Sequence, residues 1–518
     1  MVGTMPKDTF YLTTPIYYVN DVPHIGHAYT TVAVDFLARY HRLRGERVHF
    51  LTGTDEHGEK VALAAAANGL EPQAWADQVV PRWIEVWDRL EISYDDFIRT
   101  TEPRHIGPVQ QLAQQLYDQG DVYLGEYEGP YCVACESFYQ PSEIIDGCCP
   151  IHETPVVMLK ESNYFFRLSA YQDRLLELYE SQPDFVAPES RRNEVLAFVK
   201  AGLQDLSMSR TTFSWGVPIP WDPAHVMYVW VDALQNYITA VGFGSDQERF
   251  ERTWPADYHI IGKDILRQHA VIWPALLLAA GLPLPRHVFA HGYLTVGGKK
   301  MSKTNLTGIS PHTLLDEFGS DGYRYHFLRD GTFGQDGAFS YEAMLARYNA
   351  DLANDLGNLV SRTLAMVTSY FDGVVPAPGE ATEAEVSLGQ KAAEAAAGLD
   401  RGVEALDPAG ALESVMSLAR ATNLYINEAA PWKLAKDPSP EARQRLATVL
   451  YSATEAIRQL SVLFSPAMPA ASRRIRAQLG LPGVETRPLP VALAWGDLAA
   501  GTKVERGEAV FPRLEAQG

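Results

Sequence analysis

The chain shows two hydrophobic patterns in alternation at its amino-terminal end. Residues 9–19 are rich in β-branched and aromatic residues, which predicts a buried strand. From residue 25 to 44 apolar residues recur at near 3.6-residue spacing, which predicts a helix that stops at Gly45. Residues 48–52 predict a second strand, and helical patterning follows it. This alternation indicates a parallel α/β unit that binds its ligands at the carboxyl ends of its strands.

The pattern changes twice further along the chain. Short segments rich in Tyr and Gly occupy about 116–225, which indicates an insertion. The α/β pattern then resumes with strands predicted at 258–262 and 287–296 and a helix from Asp264 to about Ala280 between them. After about residue 342 the chain is almost wholly amphipathic and helical. The predicted fold is therefore a split α/β domain of the Rossmann type followed by an all-α bundle.

Composition and charge narrow the class of protein. A chain of 518 residues is expected to form two or three domains. It contains no apolar run of about 18 residues, and its first residues lack the basic start and apolar stretch of a secretory signal. We therefore expect a cytoplasmic protein without membrane contact. The net charge of −20 argues against a general RNA-coating role. A chain with this net charge can still carry a local basic strip that binds RNA.

A pair of histidines marks the start of the first predicted helix, in Pro23-His24-Ile25-Gly26-His27. A helix amino terminus offers unpaired N–H groups and the positive end of a dipole, which suits a phosphate. The imidazoles of His24 and His27 can donate hydrogen bonds to phosphate oxygens, and Gly26 allows close approach to the backbone. The alternative interpretation is that the histidines only cap the helix.

A lysine-rich loop follows the last strand of the α/β pattern, in the residues Gly297 to Thr304. Lys300 and Lys303 can place two ammonium groups over a transferring phosphoryl centre, where electrostatic stabilisation is often the largest catalytic contribution. A solvated surface loop is the alternative.

All four cysteines fall within 18 residues of the insertion. Cys132-x2-Cys135 and Cys149-x2-His152 have the spacing of a zinc knuckle, and a closed site with three cysteines and one histidine is structural rather than catalytic. Cys148 could replace Cys149 as a ligand. The alternative is that the cysteines are small buried hydrophobic residues.

The two phosphate-directed motifs occur in an order that resembles the class I aminoacyl-tRNA synthetases. Their HIGH motif is intact at 24–27. Their KMSKS motif appears as KMSKT at 300–304, where Thr304 replaces the last Ser and keeps its hydroxyl group. Ser214–Pro220 resembles a segment shared by the synthetases for large apolar amino acids. Segments 13–18, 228–237 and 262–269 resemble the methionyl-tRNA synthetase family.

The resemblance implies a methionine pocket and an ATP site. Asp55 would pair with the substrate ammonium, and aromatic walls suit a flexible, polarizable thioether. The residues implied to enclose the methionine side chain are Ile16, Tyr18, Trp230, Ala233, Leu234, Tyr237, Ile265 and His269. For ATP the implied residues are His24, Gly26, His27, Gly262, Asp264, Leu294, Lys300 and Lys303, with Mg²⁺. Taken singly, each apolar residue could be ordinary core, and Asp264 could be a helix N-cap.

The helical region contains residues that the resemblance assigns to the CAU anticodon. Asn354, Asn358 and Arg362 are spaced i, i+4 and i+8, which places them on one helix face, and Trp432 can stack on an unpaired base. The implied partner is tRNA(Met), both initiator and elongator. Hydrogen bonding between helices and core packing are the alternatives, and for Asn354 both interpretations stay open.

These expectations give a domain plan and leave two rival functions. The insertion is too short for a large editing domain, and its cysteines suffice for one zinc knuckle. Only about 30 residues follow the bundle, so we expect no carboxyl-terminal dimerisation domain and a monomer. The rivals are another class I synthetase, such as the leucine or cysteine enzyme, and a non-catalytic RNA-binding module. The predicted domains are 1–115 and 226–290 (the two catalytic halves), 116–225 (connective insertion), 291–345 (KMSKS-loop and stem-contact region), 346–482 (anticodon-binding bundle) and 483–518 (tail).

Overall fold

The structure is a computed structural model that describes residues 7–133, 137–139, 143–150, 153–296, 299–300 and 310–515. It divides into two compact units. Unit 1 is formed by the described residues of 1–34, 47–87 and 93–292, and unit 2 by those of 35–46, 88–92 and 293–518. Among the described residues, no helix combines the length and the apolar character needed to cross a membrane.

Strands are concentrated in the first two thirds of the chain, and helices predominate after them. In chain order the strands are β1 Phe10–Thr13, β2 Tyr17–Tyr18, β3 Val48–Asp55, β4 Asp96–Arg99, β5 Val122–Cys132, β6 Ser137–Phe138, β7 Val157–Phe166, β8 Val186–Ala187, β9 Leu206–Ser207, β10 Ser209–Arg210, β11 Pro218–Ile219, β12 Asp222–Met227, β13 Tyr258–Gly262, β14 His287–His291, β15 Leu294–Val296, β16 Lys299–Lys300 and β17 Gly337–Phe339. The helices are α1 Ile25–Leu43, α2 Glu59–Ala67, α3 Pro72–Arg89, α4 Pro103–Asp118, α5 Gln172–Ser181, α6 Glu189–Lys200, α7 Val229–Ala233, α8 Asn236–Thr239, α9 Gln247–Thr253, α10 Trp273–Ala280, α11 Pro311–Arg329, α12 Tyr341–Arg347, α13 Asn358–Phe371, α14 Glu383–Glu404, α15 Pro408–Ala429, α16 Pro431–Leu434, α17 Pro440–Leu463, α18 Pro469–Gln478 and α19 Leu489–Ala492.

A parallel sheet forms the centre of unit 1. Within the described residues it has seven strands in the order β2-β3-β1-β13-β14-β8, with β4 paired to β3. Every pairing in it is parallel. The carboxyl ends of its strands therefore meet at one edge, as the sequence pattern predicts for a ligand-binding α/β unit. One strand, β8, comes from the segment that was predicted to be the insertion.

The first predicted strand, 9–19, is interrupted. It forms β1 and β2, with Thr14 to Ile16 between them outside any strand. Pro15 has no N–H to donate to a sheet and disfavours regular pairing at its position. The first helix agrees with its prediction, because α1 ends at Leu43 and Gly45 follows with a φ of 88°.

The helix predicted from Asp264 to Ala280 is also interrupted. A 3₁₀ turn at 263–265 and a π-helical segment at 268–272 precede α10. Pro274, in the first turn of α10, cannot donate a backbone hydrogen bond, and π segments are frequent at functional sites. The predicted strand 287–296 divides into β14 and β15, which belong to different sheets.

Unit 2 contains the predicted helical bundle and a carboxyl-terminal segment packed on it. The long helices α14, α15 and α17 bury their apolar faces. After α18 the chain continues along the bundle, where the Tyr451 hydroxyl donates to the carbonyl oxygen of Leu498 at 2.8 Å. The side chain of Asn349 exchanges two hydrogen bonds with the backbone of Leu514.

A buried ion pair lies inside unit 2. The Arg324 guanidinium is 2.6 Å from the Asp35 carboxylate, and both side chains are 0% exposed. Arg324 also donates to the carbonyl oxygens of Pro466 and Ala467, each at 2.8 Å. Arg39 is a second partner of Asp35, at 2.7 Å. The guanidinium thus connects the turn before α18 to α1 through hydrogen bonds at one end and an ion pair at the other.

Replacement of Arg324 by methionine is expected to destabilise unit 2. Removal of one partner from a buried ion pair typically costs about 3–5 kcal/mol, because the remaining charge and carbonyl groups stay buried. Urea unfolding followed by circular dichroism measures the loss. Lys391→Met is the matched control, since it removes an exposed pair with Glu394 and should cost at most about 1 kcal/mol. Equal losses in the two variants would contradict the role given to Arg324.

Candidate active site

The two histidines of the HIGH motif stack on each other at the start of α1. Their ring centroids are 3.6 Å apart. The backbone N–H of Gly26 donates to Nδ1 of His24 at 3.1 Å, and that of His24 donates to Nδ1 of His27 at 3.3 Å. Since Nδ1 accepts in both rings, the neutral imidazoles carry their hydrogen on Nε2. Both are therefore in the tautomer that can donate from Nε2 to a phosphate oxygen.

Gly26 is needed for this arrangement. A Cβ atom at this position would lie 2.9 Å from Cε1 of His24. A side chain at residue 26 would therefore displace the His24 ring from the start of the helix. The bond from the N–H of Gly26 to His24 is itself a helix cap, so His24 caps α1 here and the phosphate role of the two histidines remains a prediction. The ring of His27 also packs against Tyr17 and Trp83.

The aromatic residues predicted to surround methionine contact one another in unit 1. The ring centroids of Tyr18 and Trp230 are 6.3 Å apart, as are those of Trp230 and His269, both in edge-on geometry. The Tyr237 hydroxyl is 2.7 Å from Nε2 of His269. His269 Nδ1 is 2.9 Å from the carbonyl oxygen of Ile265. Residues from three separate segments of the chain are thus joined in one group.

The hydrogen bonds of His269 define its state. Its Nδ1–H donates to a carbonyl oxygen, so its Nε2 accepts the proton of the Tyr237 hydroxyl. Burial lowers the pKa of His269 to about 4, and burial also raises the pKa of Tyr237. Both side chains are consequently uncharged at neutral pH. They present an apolar, polarizable wall with fixed hydrogen bonds.

The remaining predicted pocket residues lie in the same unit. Ile16 and Ile265 are half-buried against the core of unit 1, Leu234 is part of that core, and Ala233 is buried. Asp55 is the last residue of β3, is 2% exposed, and stands opposite Tyr18 in the strand register. A buried carboxylate at the end of a strand, beside an aromatic wall, can bind an ammonium group.

The predicted ATP residues at β13 are also close together. Gly262 ends this strand, and a Cβ atom there would lie 2.5 Å from the Asp264 carboxylate, so a side chain at residue 262 would displace that carboxylate. Asp264 is exposed. The alternative of an N-cap is wrong, because Gly262 holds the cap position of the turn 263–265. Leu294 begins β15 in unit 2.

Most of the lysine-rich loop lies outside the described residues. Residues 297–298 and 301–309, which include Lys303, are among those not described. The backbone of Lys300 is described in β16, where it pairs with Thr295. The roles of Lys300 and Lys303 remain predictions.

A buried polar network next to the pocket was not predicted from the sequence. Asp232, in α7 between Trp230 and Ala233, is 2.6 Å from Nδ1 of His57 and 2.8 Å from Nε2 of His105. Its side chain is 1% exposed. Burial acts to raise the pKa of Asp232, but the two histidines outweigh it and lower that pKa to about 2. A charged residue inside the apolar run YVWVDAL was the signal available in the sequence.

Two of the predicted zinc ligands lie together in a small buried cluster. Cys132 and Cys149 are 0% and 1% exposed and pack with Tyr139. The Cys149 sulfur is 3.5 Å from the Tyr139 hydroxyl. Cys135 and His152 lie outside the described residues, and Cys148 is half-buried. Among the residues that are described, no three potential ligands come together as a metal site.

The predicted anticodon residues occupy the helical part of unit 2. Asn354 and Asn358 are exposed, and Trp432 is 38% exposed, so the Trp is not a core residue. Arg362 is half-buried and donates to the side-chain oxygens of Asn427 and Asn423 at 3.0 and 3.2 Å. Asn354 lies in a π-helical segment, 348–357, where the turn is wider than in the α-helix assumed for the i, i+4, i+8 pattern.

Comparison with family models defines the class of protein. Residues 10–155 and 139–364 match the family described as class I tRNA synthetases (M). Residues 375–517 match the family described as the anticodon binding domain of methionyl tRNA ligase. Together with the parallel sheet and the helical bundle, these matches define a class I aminoacyl-tRNA synthetase.

Individual relatives narrow the class to one family. The methionine–tRNA ligase of Streptomyces coelicolor is 54% identical over 520 residues, which cover 98% of this chain and 97% of that protein. That of Caldanaerobacter subterraneus subsp. tengcongensis is 50% identical over 513 residues, with coverage of 99% and 80%. The structure of Mycobacterium tuberculosis methionyl-tRNA synthetase in complex with methionyl-adenylate has a TM-score of 0.94 at 45% identity, with coverage of 98% and 100%. The chain belongs to the methionyl-tRNA synthetase family, and its activity is that of an ATP-dependent methionine–tRNA ligase.

Proposed function

We propose that the aromatic group of unit 1 binds the methionine side chain and that Asp55 binds its ammonium group. The contacts joining Tyr18, Trp230, His269 and Tyr237 carry this proposal. Uncharged, polarizable walls favour a thioether over a charged or strongly polar side chain. Ile16, Ala233, Leu234 and Ile265 complete the apolar lining.

Activation needs no general base, since the methionine carboxylate is already ionised at neutral pH. It attacks the α-phosphorus of ATP, forming methionyl-adenylate and releasing pyrophosphate. His24 and His27 donate from Nε2 to phosphate oxygens, and Lys300 and Lys303 offset charge on the transferring and leaving phosphates. Such phosphoryl chemistry depends mainly on positioning and electrostatic stabilisation.

The second step transfers methionine to tRNA. A hydroxyl group of the 3′-terminal ribose, the 2′-OH in class I enzymes, attacks the adenylate carbonyl carbon, and AMP leaves with the bonding electron pair. For the nucleotide, Asp264 binds the ribose hydroxyls, and Gly262 and Gly26 allow its close approach. These assignments rest on the resemblance and on the room that the two glycines leave. The assignment of the adenine to the backbone around Leu294 rests on the resemblance alone.

Replacement of Asp55 by asparagine tests the amino-acid site. The neutral amide loses the charge attraction to the ammonium, so we expect the KM for methionine in ATP–pyrophosphate exchange to rise by about 100-fold or more, from the loss of a charge-assisted bond. The KM for ATP should stay within about twofold of the wild-type value, because the substitution removes an interaction with methionine and none with ATP. An unchanged KM for methionine would contradict the assignment.

For tRNA we propose that Asn354, Asn358, Arg362 and Trp432 read the CAU anticodon of both initiator and elongator tRNA(Met). The exposure of Asn354, Asn358 and Trp432 supports contact with unpaired bases, which proteins recognise by stacking and hydrogen bonds. Two asparagines orient the Arg362 guanidinium. Its remaining N–H groups can donate to a base edge.

Replacement of Arg362 by alanine is expected to reduce charging and leave amino-acid activation unchanged. Loss of a base contact typically costs about 1–3 kcal/mol, so kcat/KM for tRNA(Met) should fall by about 10- to 100-fold. Arg401→Ala is the matched control, since it removes an exposed guanidinium from helix α14 of the same unit. Charging that falls equally for tRNAs with CAU and with altered anticodons would indicate a phosphate contact instead.

We also propose one structural zinc ion, held by Cys132, Cys135, Cys149 and His152. The two proposed ligands that are described, Cys132 and Cys149, fit such a site, because both are buried in one cluster and the Tyr139 hydroxyl lies within reach of a thiolate. Zinc would stabilise this part of unit 1 and take no part in catalysis. Mg²⁺ would accompany ATP and neutralise phosphate charge. Zinc analysis of the purified chain tests the metal proposal.

The state of the protein in the cell is a further part of this proposal. A net charge of −20 opposes self-association and supports a monomer, which sedimentation can test. We infer a cytoplasmic location, where tRNA and ATP are available.

The six predicted domain ranges also stay predictions. The division between the two units at residue 292 lies close to the predicted limit at 290.

A further inference from the structure

Asp232 is a charged residue in the interior of unit 1. Its carboxylate accepts hydrogen bonds from His57 and His105, at 2.6 and 2.8 Å. The side chains of His57 and His105 are themselves 6% and 0% exposed. An ionised group at such depth is costly unless every polar neighbour is a donor to it. The position of a carboxylate here therefore requires an explanation beyond packing.

The direction of these hydrogen bonds is fixed by charge. An ionised carboxylate only accepts, so His57 donates from Nδ1 and His105 donates from Nε2. The other ring nitrogen of His105, Nδ1, is 2.8 Å from the hydroxyl of Thr239. The network therefore runs from Thr239 in α8 through His105 in α4 to Asp232 in α7. It ends at His57.

The network joins the two parts of the proposed methionine pocket. His57 follows Asp55 by two residues, just beyond the end of β3. Asp232 lies on the same short helix as Trp230 and Ala233, which the proposal places in the pocket wall. A helix of five residues is too short to hold a position by its own hydrogen bonds. The hydrogen bond between His57 and the Asp232 carboxylate connects this helix to the segment that follows β3.

We propose that Asp232 is a positioning residue for methionine: through His57 it fixes Asp55 relative to Trp230, so that the ammonium and the thioether side chain are bound at once. The proposal rests on the proposed function of this pocket. This role requires no contact between Asp232 and the substrate. Its effect is on the geometry of residues that do, and errors of about 1 Å in such geometry are sufficient to lower activity by about 100-fold.

Replacement of Asp232 by asparagine keeps the size of the side chain and removes one acceptor. The amide offers a single oxygen, while its NH₂ group faces the N–H of the second imidazole, donor against donor. We expect the KM for methionine in ATP–pyrophosphate exchange to rise by about tenfold or more, as is typical when a residue that orients a binding group is changed. The KM for ATP is expected to stay within about twofold of the wild-type value.

A second pair of variants tests the network without removal of the carboxylate. In His57→Asn the amide nitrogen can occupy the position of Nδ1 and donate to Asp232, whereas His57→Ala has no donor. The proposal predicts a raised KM for methionine in H57A and a value near wild type in H57N. A KM raised equally in both, or in neither, would overturn it. This comparison stays decisive if D232N does not fold.

Asp257→Asn is the matched control for loss of a buried carboxylate. Asp257 is 2% exposed, binds Lys7 and the backbone N–H of Tyr11, and precedes the amino end of β13, the opposite end of this strand from Gly262. We expect D257N to lower the melting temperature without a selective change in the KM for methionine. If D257N and D232N raise the KM for methionine equally, or if D232N raises the KM values for methionine and ATP equally, Asp232 has only a structural role.

The result for Asp55→Asn separates failure of this inference from failure of the proposed function. If D55N leaves the KM for methionine unchanged, the pocket itself is misassigned. If D55N raises it and D232N does not, the pocket stands and the positioning role of Asp232 is wrong.

Discussion

Parallel pairing of the strands in unit 1 is the constraint on which the site depends. Because β1, β3 and β13 run in the same direction, their carboxyl ends meet at one edge. Ile16 follows the first of these strands, Asp55 ends the second, and Ile265 follows the third. Residues that are more than 200 positions apart in sequence are thereby placed at the edge that carries the proposed pocket. A shift in any of these pairings would separate the ammonium site from the aromatic wall.

Inside this edge, hydrogen bonds determine which groups are charged. His269 is neutral because burial lowers its pKa and outweighs the opposing effect of the hydrogen bond to the carbonyl oxygen of Ile265. Asp232 is ionised because two imidazoles donate to it. The proposed pocket thus combines uncharged walls with a carboxylate at Asp55. This combination suits an amino acid with a long apolar side chain. A hydrophobic pocket alone discriminates between side chains that differ by one methylene by only about 1–3 kcal/mol of binding free energy.

Local patterns in the sequence predicted much of this structure, and the failures have local causes too. The 3.6-residue spacing and Gly45 predicted the limits of α1 to within one residue. Proline interrupted two predicted elements, at Pro15 and near Pro274, because it removes a backbone donor. The addition of β8 to the main sheet was not predictable, since its pairing with β14 joins residues that lie about 100 positions apart.

For the candidate site, a motif or a resemblance named most of the residues, and their roles stay predictions. Tyr18, Trp230, Tyr237 and His269 were predicted as one group and are in contact. The network of Asp232 was missed, because no short motif links three residues in three separate segments of the chain. Its charge within an apolar segment could have identified it as a buried residue that needs partners. The π-helical turn around Asn354 likewise has no clear mark in the sequence.

Amino-acid-dependent ATP–pyrophosphate exchange, measured with each of the twenty amino acids, is the most direct test of the proposed pocket. It reports adenylate formation without tRNA, so it depends on binding of the amino acid and ATP and not on anticodon recognition. We expect strong exchange with methionine and only background with the others. Exchange driven by a different amino acid would contradict the assignment of the pocket, and its absence in properly folded protein would contradict the catalytic role itself.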